Sequence, residues 1–239
     1  MILSKDEVNF YNDKGYLLVE DVITEDQHKE MLALVKDFFE RSKNVKNNDN
    51  IFDLEDGHCS TNPRLKRVKQ PHQHSQFFWD IIKQSKIEGI LIDLLGKDIS
   101  LKTSKLNTKA PGGGAAVEWH QDWAFYPHTN DNVLALGLML NDVEIDNGPL
   151  MVIPGSHKGP VLSHNNNGVF CGAINPDDKF FDIDKAVTLT GKARSMTIHH
   201  ARTLHGSATN NRQKDRLMLF YECNSADAWP LVGVGAYLN

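Results

Sequence analysis

The residues of this 239-residue chain best suited by type and spacing to chemistry are Trp119-His120-Gln121-Asp122. An imidazole and a carboxylate stand two positions apart. On a strand, positions i and i+2 point to the same face, so both side chains can converge on one metal ion. One neutral imidazole nitrogen and one carboxylate make two thirds of a 2-His-1-carboxylate facial triad. That set holds non-haem Fe(II) on one side and leaves the opposite positions open. Alone the spacing is a weak signal. The chain has eleven histidines and 31 acidic residues, so His-x-Asp pairs arise by chance, and a polar surface strand would read the same. A third ligand and an anchor for an anion must come from elsewhere.

Three histidines compete for the third position. His199 and His200 end a strand-like run, Ser195-Met196-Thr197-Ile198-His199-His200, and His205 follows shortly after. His205 precedes Gly206-Ser207, small residues that permit close approach of a co-substrate. Arg216 comes eleven residues later and opens the apolar strand Leu217 to Tyr221, after a polar turn from Asn210 to Asp215. A hairpin of that length brings Arg216 back beside the His205 strand, where its guanidinium could grip a carboxylate bidentately. A surface ion pair with Asp215 or Glu222 is the plainer alternative.

The other polar features read as scaffold. His58 and Cys59 lie in an Asn- and Asp-rich stretch, 42 to 64, expected to be loop. The basic run Arg64 to Lys69 reads as a solvated face, or as the source of one cation that reaches an anionic co-substrate. His72 and His74 share i, i+2 spacing, but Pro71 and the neighbouring glutamines suggest a loop. Pro111-Gly112-Gly113-Gly114 lacks the following Lys-Ser/Thr and helix start of a phosphate cradle, so it reads as a turn. His157, in Pro154-Gly155-Ser156-His157-Lys158-Gly159, reads as a turn residue. Trp123 to His128 is a dense aromatic segment that either lines a pocket or caps the core.

Helices and strands must position these groups. Ser4 to Glu7 reads as a helix N-cap with acids in the first turn, and Gly15 as its end. Tyr16 to Val19 is a short strand. Thr24 to Gln27 is a capping box opening an amphipathic helix. A second amphipathic helix is expected over 76 to 95. From Ile99 the apolar pattern switches to period two, and Val133 to Leu140 is a continuous apolar run suited to a strand buried on both faces. Residues 160 to 185 form an insertion long enough to be a lid or binding loop.

Composition bounds the class. At 40% hydrophobic, 24% charged and a net charge of -5, the chain reads as an ordinary globular domain, with nucleic acid and anionic membrane disfavoured as partners. Three cysteines, Cys59, Cys171 and Cys223, give neither a disulfide framework nor a metal spacing, which suits a reducing, cytoplasmic location. The first residues lack the apolar core of a signal peptide, and no apolar run reaches membrane-span length.

Three stretches together carry a family resemblance: Trp119 to Asp122; Asn147-Gly148-Pro149-Leu150 with Ile153 to Gly159; and His205-Gly206-Ser207 with Arg216. They resemble the phytanoyl-CoA dioxygenase family of Fe(II)- and 2-oxoglutarate-dependent oxygenases, from about Val8 to Pro230. The resemblance implies a mainly β fold with flanking α-helices, a double-stranded β-helix (jelly roll, cupin-like) core. It implies a single domain over 1–239, with 1–98 a mostly helical support and 99–230 the jelly roll. The implied iron ligands are His120, Asp122 and His205, with no catalytic residue beyond them. Arg216 would hold the distal carboxylate of 2-oxoglutarate and Ser207 assist. Leu106 and Leu138 would flank the co-substrate, and Arg67, or less well Lys66, would touch it, although Leu138 stands where some members carry an aromatic residue. Trp123, Phe125, Tyr126 and Asn107 would line the substrate pocket.

The implied reaction uses Fe(II), 2-oxoglutarate and O2 to hydroxylate an unactivated C–H bond of a small-molecule metabolite, releasing succinate and CO2. Related halogenases replace the ligand carboxylate with a small residue. Asp122 is intact, which favours hydroxylation. The rivals are a metal- or ligand-binding jelly roll without turnover and an iron oxygenase that does not use 2-oxoglutarate. Arg216 argues against the latter. The residues do not choose a substrate. Lys158, Lys179 and Lys185 are too few to demand a coenzyme A thioester or a phosphonate, which leaves a small amphipathic metabolite.

Overall fold

Ser4 Oγ accepts from the Glu7 backbone N–H at 3.2 Å, and the Glu7 carboxylate takes the Ser4 N–H at 2.7 Å. This capping box starts α1 (Lys5–Lys14), and Gly15 ends it in the left-handed region at φ 77°. The computed structural model describes residues 1–83, 86–112, 114 and 116–232. β1 (Tyr16–Val19) follows, then α2 (Glu25–Ser42), which opens on the Thr24/Gln27 capping box and buries Met31, Val35 and Phe38.

Beyond α2 the sequence-based expectation needs correcting. The 42 to 64 stretch contains β2 (Phe52–Leu54), and the basic run is β3 (Leu65–Lys69), paired with it. Asp53 makes this stable. Its carboxylate meets Arg67 at 3.1 Å and Lys69 at 2.8 Å, while Leu65 and Val68 are buried. His72 and His74 lie on a one-turn helix, α3 (Pro71–His74). The helix expected over 76 to 95 is two helices, α4 (Gln76–Lys83) and α5 (Lys86–Leu95), with Gln84 and Ser85 outside the described residues. Gly113 of the glycine turn also lies outside them.

The remaining strands are β4 (Ile99–Lys109), β5 (Val117–His120), β6 (Val133–Met139), β7 (Leu150–Val152), β8 (Asn165–Asn166), β9 (Val169–Phe170), β10 (Val187–Leu189), β11 (Met196–His200), β12 (His205–Ser207) and β13 (Arg216–Ser225). They form a seven-stranded sheet, β1-β11-β6-β13-β4-β3-β2, and a four-stranded sheet, β10-β7-β12-β5. β8 and β9 make a small separate hairpin. The pairings are antiparallel, and the core is a jelly roll. β1, β2 and β3 all join the larger sheet, so residues 1–98 supply strands of the barrel wall as well as helices.

Register decides which residues see the interior. One row across the larger sheet runs His199, Ala135, Glu222, Thr103 and faces inward. The row Met196, Leu138, Leu219, Leu106 faces out and packs with Met31, Phe38, Phe78 and Ile87 of the helices. β6 is buried along its whole length. On its inner face Gly137 is required, because a Cβ there would lie 2.6 Å from Thr197 Oγ1 and 2.8 Å from Phe220 Cε1.

The outer face of the smaller sheet is covered by the 160–185 insertion. Leu162, Ile174 and Phe181 pack there with Trp119, Ile153 and Leu204. The insertion is thus a lining laid on the back of β5, and it reaches the aromatic segment around Phe125, through Phe170 of the β8–β9 hairpin and through His164. No helix among the described residues is long and apolar enough to cross a membrane.

Candidate metal and co-substrate site

β5 ends at His120. The expected continuous strand through Asp122 is interrupted, because Asp122–Ala124 is a 3-10 turn. Gln121 keeps extended angles, φ -122° and ψ 127°, so the strand geometry that puts i and i+2 on one side holds across the junction. His205, opening β12, lies directly opposite His120. Asp122 Oδ1 stands 3.7 Å from His120 Nε2 and 3.8 Å from His205 Nε2, and the candidate ligand atoms all lie within 4.8 Å of one another.

The tautomers are set by the backbone. His120 Nδ1 is 2.8 Å from the Glu118 carbonyl, and His205 Nδ1 is 2.8 Å from the Thr203 carbonyl. Each Nδ1–H donates there, which leaves both Nε2 lone pairs facing Asp122. Burial, then the neighbouring His120 and His199, hold His205 well below the ordinary histidine range, so it stays neutral. Burial alone would raise the Asp122 carboxyl, but the surrounding imidazoles of His205, His120 and His199 outweigh it and keep the group ionised. One imidazole nitrogen from each histidine and one carboxylate oxygen at this separation fit a divalent iron.

Of the rival histidines, His200 turns away from the triad and packs its ring 5.2 Å from that of His157. Burial, then His157, lowers its pKa to about 4. His199 stays inside, with Nε2 3.2 Å from Asp122 Oδ2.

Arg216 is in the site, but not by the route its spacing suggested. β13 pairs with β4 and β6, whereas β12 pairs with β5 and β7. The 208–215 segment crosses between sheets, and Arg216 belongs to the wall opposite His205. It is 3% exposed. Its Nε and Nη1 are buried without a hydrogen-bond partner, and among the described residues it makes no ion pair. Desolvation alone lowers its pKa to about 10. A buried guanidinium with unused donors fits a carboxylate. Ser207, also buried, is on the facing sheet.

Leu106 and Leu138 must be corrected. Both face the helices in the main core, and the inner positions beside them are Asn107 and Gly137. Asn107 pairs with Met218 and with Arg67, so the pocket expectation for Asn107 falls on the inner face. Arg67 shares that face at the sheet margin, paired to Asp53, whereas Lys66 is exposed on the other. Trp123 is not brought to the site; it packs on Tyr126, Val133, Ala201 and Ala228. Phe125 sets its ring edge-on to His120 at 5.6 Å. Tyr126 is buried, with its phenol beside the Asp122 and Glu222 carboxylates; burial, then those charges, push its pKa up.

Several groups escaped the sequence reading. Lys109 is the direct partner of Arg216 across β4 and β13, with Nζ 3.4 Å from the Ser207 carbonyl and bonded to that of Ala208. Burial, then the Arg216 charge, lowers it to about 7. Glu222 is buried on the inner face and paired with Lys105. Lys105, Asn107 and Lys109 share one parity on a strand already legible as period two, so a signal for them existed. Gln121 and His164 had none. The Gln121 N–H donates to His164 Nε2 at 2.8 Å, and its side chain holds the Pro160, Leu162 and Arg202 backbones.

Comparison with known proteins agrees with this geometry. The sequence model of phytanoyl-CoA dioxygenase (PhyH) matches residues 11–218. The chain belongs to the phytanoyl-CoA dioxygenase family. Within it, a relative from Stutzerimonas stutzeri named as a probable alpha-ketoglutarate-dependent hypophosphite dioxygenase is 39% identical over 95% of this chain and 80% of its own. An ectoine dioxygenase from Streptomyces avermitilis is 25% identical over 92% and 78%. The crystal structure of EctD from S. alaskensis with bound Fe superposes with a TM-score of 0.80 at 19% identity, over 94% of this chain and 77% of that one. The carbocyclase SnoK from nogalamycin biosynthesis gives 0.77 at 21%, over 97% and 88%. As a member of the phytanoyl-CoA dioxygenase family, the protein is an Fe(II)- and 2-oxoglutarate-dependent dioxygenase acting on a small molecule.

Proposed function

We propose that His120, Asp122 and His205 hold Fe(II), and that Arg216, with Ser207, holds the distal carboxylate of 2-oxoglutarate. The carrying observation is the guanidinium of Arg216, buried with two unused nitrogens inside the barrel that the triad faces. Iron charged with 2-oxoglutarate and O2 supplies the oxidant that places one oxygen atom on the substrate, while succinate and CO2 are released. The protein's part is orientation and exclusion. Arg216 fixes the far end of the co-substrate through charge-assisted hydrogen bonds. Lys109 lies beside it, where a bound carboxylate would favour its charged form. Asn107 offers an amide to the pocket, and Phe125 walls the His120 side.

The favoured outcome is hydroxylation of a C–H bond in a small, polar metabolite, as the ectoine dioxygenase relatives suggest. A second reading, favoured by the 39% identity of the hypophosphite dioxygenase relative, is oxidation of a P–H bond in a small phosphorus oxyanion. Three unpaired thiols support a reducing, cytoplasmic setting. The test is anaerobic titration of Fe(II)-loaded protein with 2-oxoglutarate, followed by the weak visible charge-transfer band of the chelate. The band should form in the parent and vanish in Arg216→Ala. Iron binding without any band would refute the co-substrate assignment. Succinate release with hypophosphite against a panel of small C–H substrates then separates the two readings.

A further inference from the structure

The Asp122 carboxylate has two oxygens with two different duties. Oδ1 faces both ligand imidazoles, at 3.7 and 3.8 Å from their Nε2 atoms. Oδ2 turns away and meets His199 Nε2 at 3.2 Å. His199 cannot drift from that place. It is 1% exposed, it sits mid-sheet between Tyr16 of β1 and Ala135 of β6, and its ring packs 4.2 Å from that of His205. The Tyr126 phenol also lies within hydrogen-bonding reach of the Asp122 and Glu222 carboxylates. Glu222 lies on the same inward row as His199, one strand beyond Ala135.

A carboxylate can give a metal one oxygen or both. A ligand that uses both closes one of the positions a 2-His-1-carboxylate set should leave free. Hydrogen bonds to the second oxygen oppose that swing, and such outer contacts are commonly worth 10- to 100-fold in affinity or activity. We propose that His199 is a positioning residue that keeps Asp122 a one-oxygen ligand, and so reserves the coordination positions for 2-oxoglutarate and O2. This rests on the iron and 2-oxoglutarate reading given above. His199 is therefore built into the site without being a ligand, although its type and place made it a competitor for that role.

The test uses full-length protein in three forms: His199→Leu, His199→Gln and His199→Asn. The Gln amide can reach Oδ2, while Asn is shorter and Leu has no donor. Two quantities are measured without oxygen: Fe(II) affinity by competition with a chelator, and 2-oxoglutarate affinity from the charge-transfer band of the iron-loaded protein. In His199→Leu, Fe(II) affinity should hold within about threefold or tighten, while 2-oxoglutarate binding should weaken at least tenfold. His199→Gln should restore it to within about threefold of the parent, and His199→Asn should behave as Leu. Parent-like 2-oxoglutarate binding in the Leu form would overturn the proposal, as would Fe(II) affinity falling in step with it. If the Leu form does not fold, the Gln and Asn pair decides, and equal behaviour of those two overturns it. A parent that binds iron but shows no band instead sinks the underlying co-substrate reading.

Discussion

Replacing Arg216 by methionine should make the metal-free protein more stable while destroying its grip on 2-oxoglutarate. Burial lowers the Arg216 pKa from 12.5 to about 10. At ~1.4 kcal/mol per pH unit, that depression corresponds to about 3 kcal/mol spent keeping the charge inside the empty protein. Methionine has similar length, needs no hydrogen bonds and fills irregular space. Repacking returns part of the gain, leaving about 1–2 kcal/mol. For a chain of this size that is a rise in Tm of about 3–6 °C. Truncating one partner of a buried charged pair typically costs about 2–5 kcal/mol, so 2-oxoglutarate should bind about 30-fold more weakly or worse. Thermal melts without ligand, and calorimetric titration of the Fe(II) form without oxygen, measure the two effects. An Arg216→Met protein that melts lower than the parent and binds 2-oxoglutarate equally well would show that the guanidinium is a structural strut.

Three further outcomes are expected. His120→Ala and Asp122→Ala should each lose Fe(II) in equilibrium dialysis, and parent-like retention in either would remove that residue from the ligand set. Lys109 titrates near 7 in the folded protein and near 10.5 when unfolded. Between those values the unfolded chain binds more protons, so this group adds stability as pH rises from 7 towards 10 and contributes no pH dependence below 7. Denaturant melts of the parent and Lys109→Met across pH 6–10 should diverge in that window, and parallel curves would contradict the buried placement. Gly137→Ala should destabilise by about 1–3 kcal/mol, because the new methyl collides with Thr197 and Phe220; an unchanged denaturation midpoint would count against the packing.

The candidate ligand cluster was legible in the sequence because its parts are local. His120 and Asp122 are neighbours, and the His205 and Arg216 segments carry their own small-residue and turn signals. The capping boxes of α1 and α2 were legible for the same reason. What stayed hidden depends on register. Leu106 and Asn107 are adjacent, and only the pairing of β4 with β13 says which one looks inward. β6 is apolar on both faces, so its periodicity carries no hint that Gly137, and not Leu138, lines the barrel. β3 looked like a solvated basic run because its partner, Asp53, lies on a strand 14 residues away from Arg67 with no apolar pattern of its own. Arg216 reached the expected site across the barrel because the sequence shows the length of a connection but not which sheet it enters.

The β5 segment serves two masters at alternate positions. His120 and Asp122 look into the barrel, while Trp119 and Gln121 hold the insertion behind it, the latter through both its backbone and its amide. Substitution at any one position disturbs one side only. Loss or gain of a single residue between Val117 and His120 would turn the whole frame over, bringing an indole and an amide inside and sending an imidazole and a carboxylate out. The segment is a reading frame in space, so across related chains its length should be far less free to drift than its composition. Length changes should gather instead at the exposed Asn165 to Phe170 hairpin, where no metal ligand depends on the count.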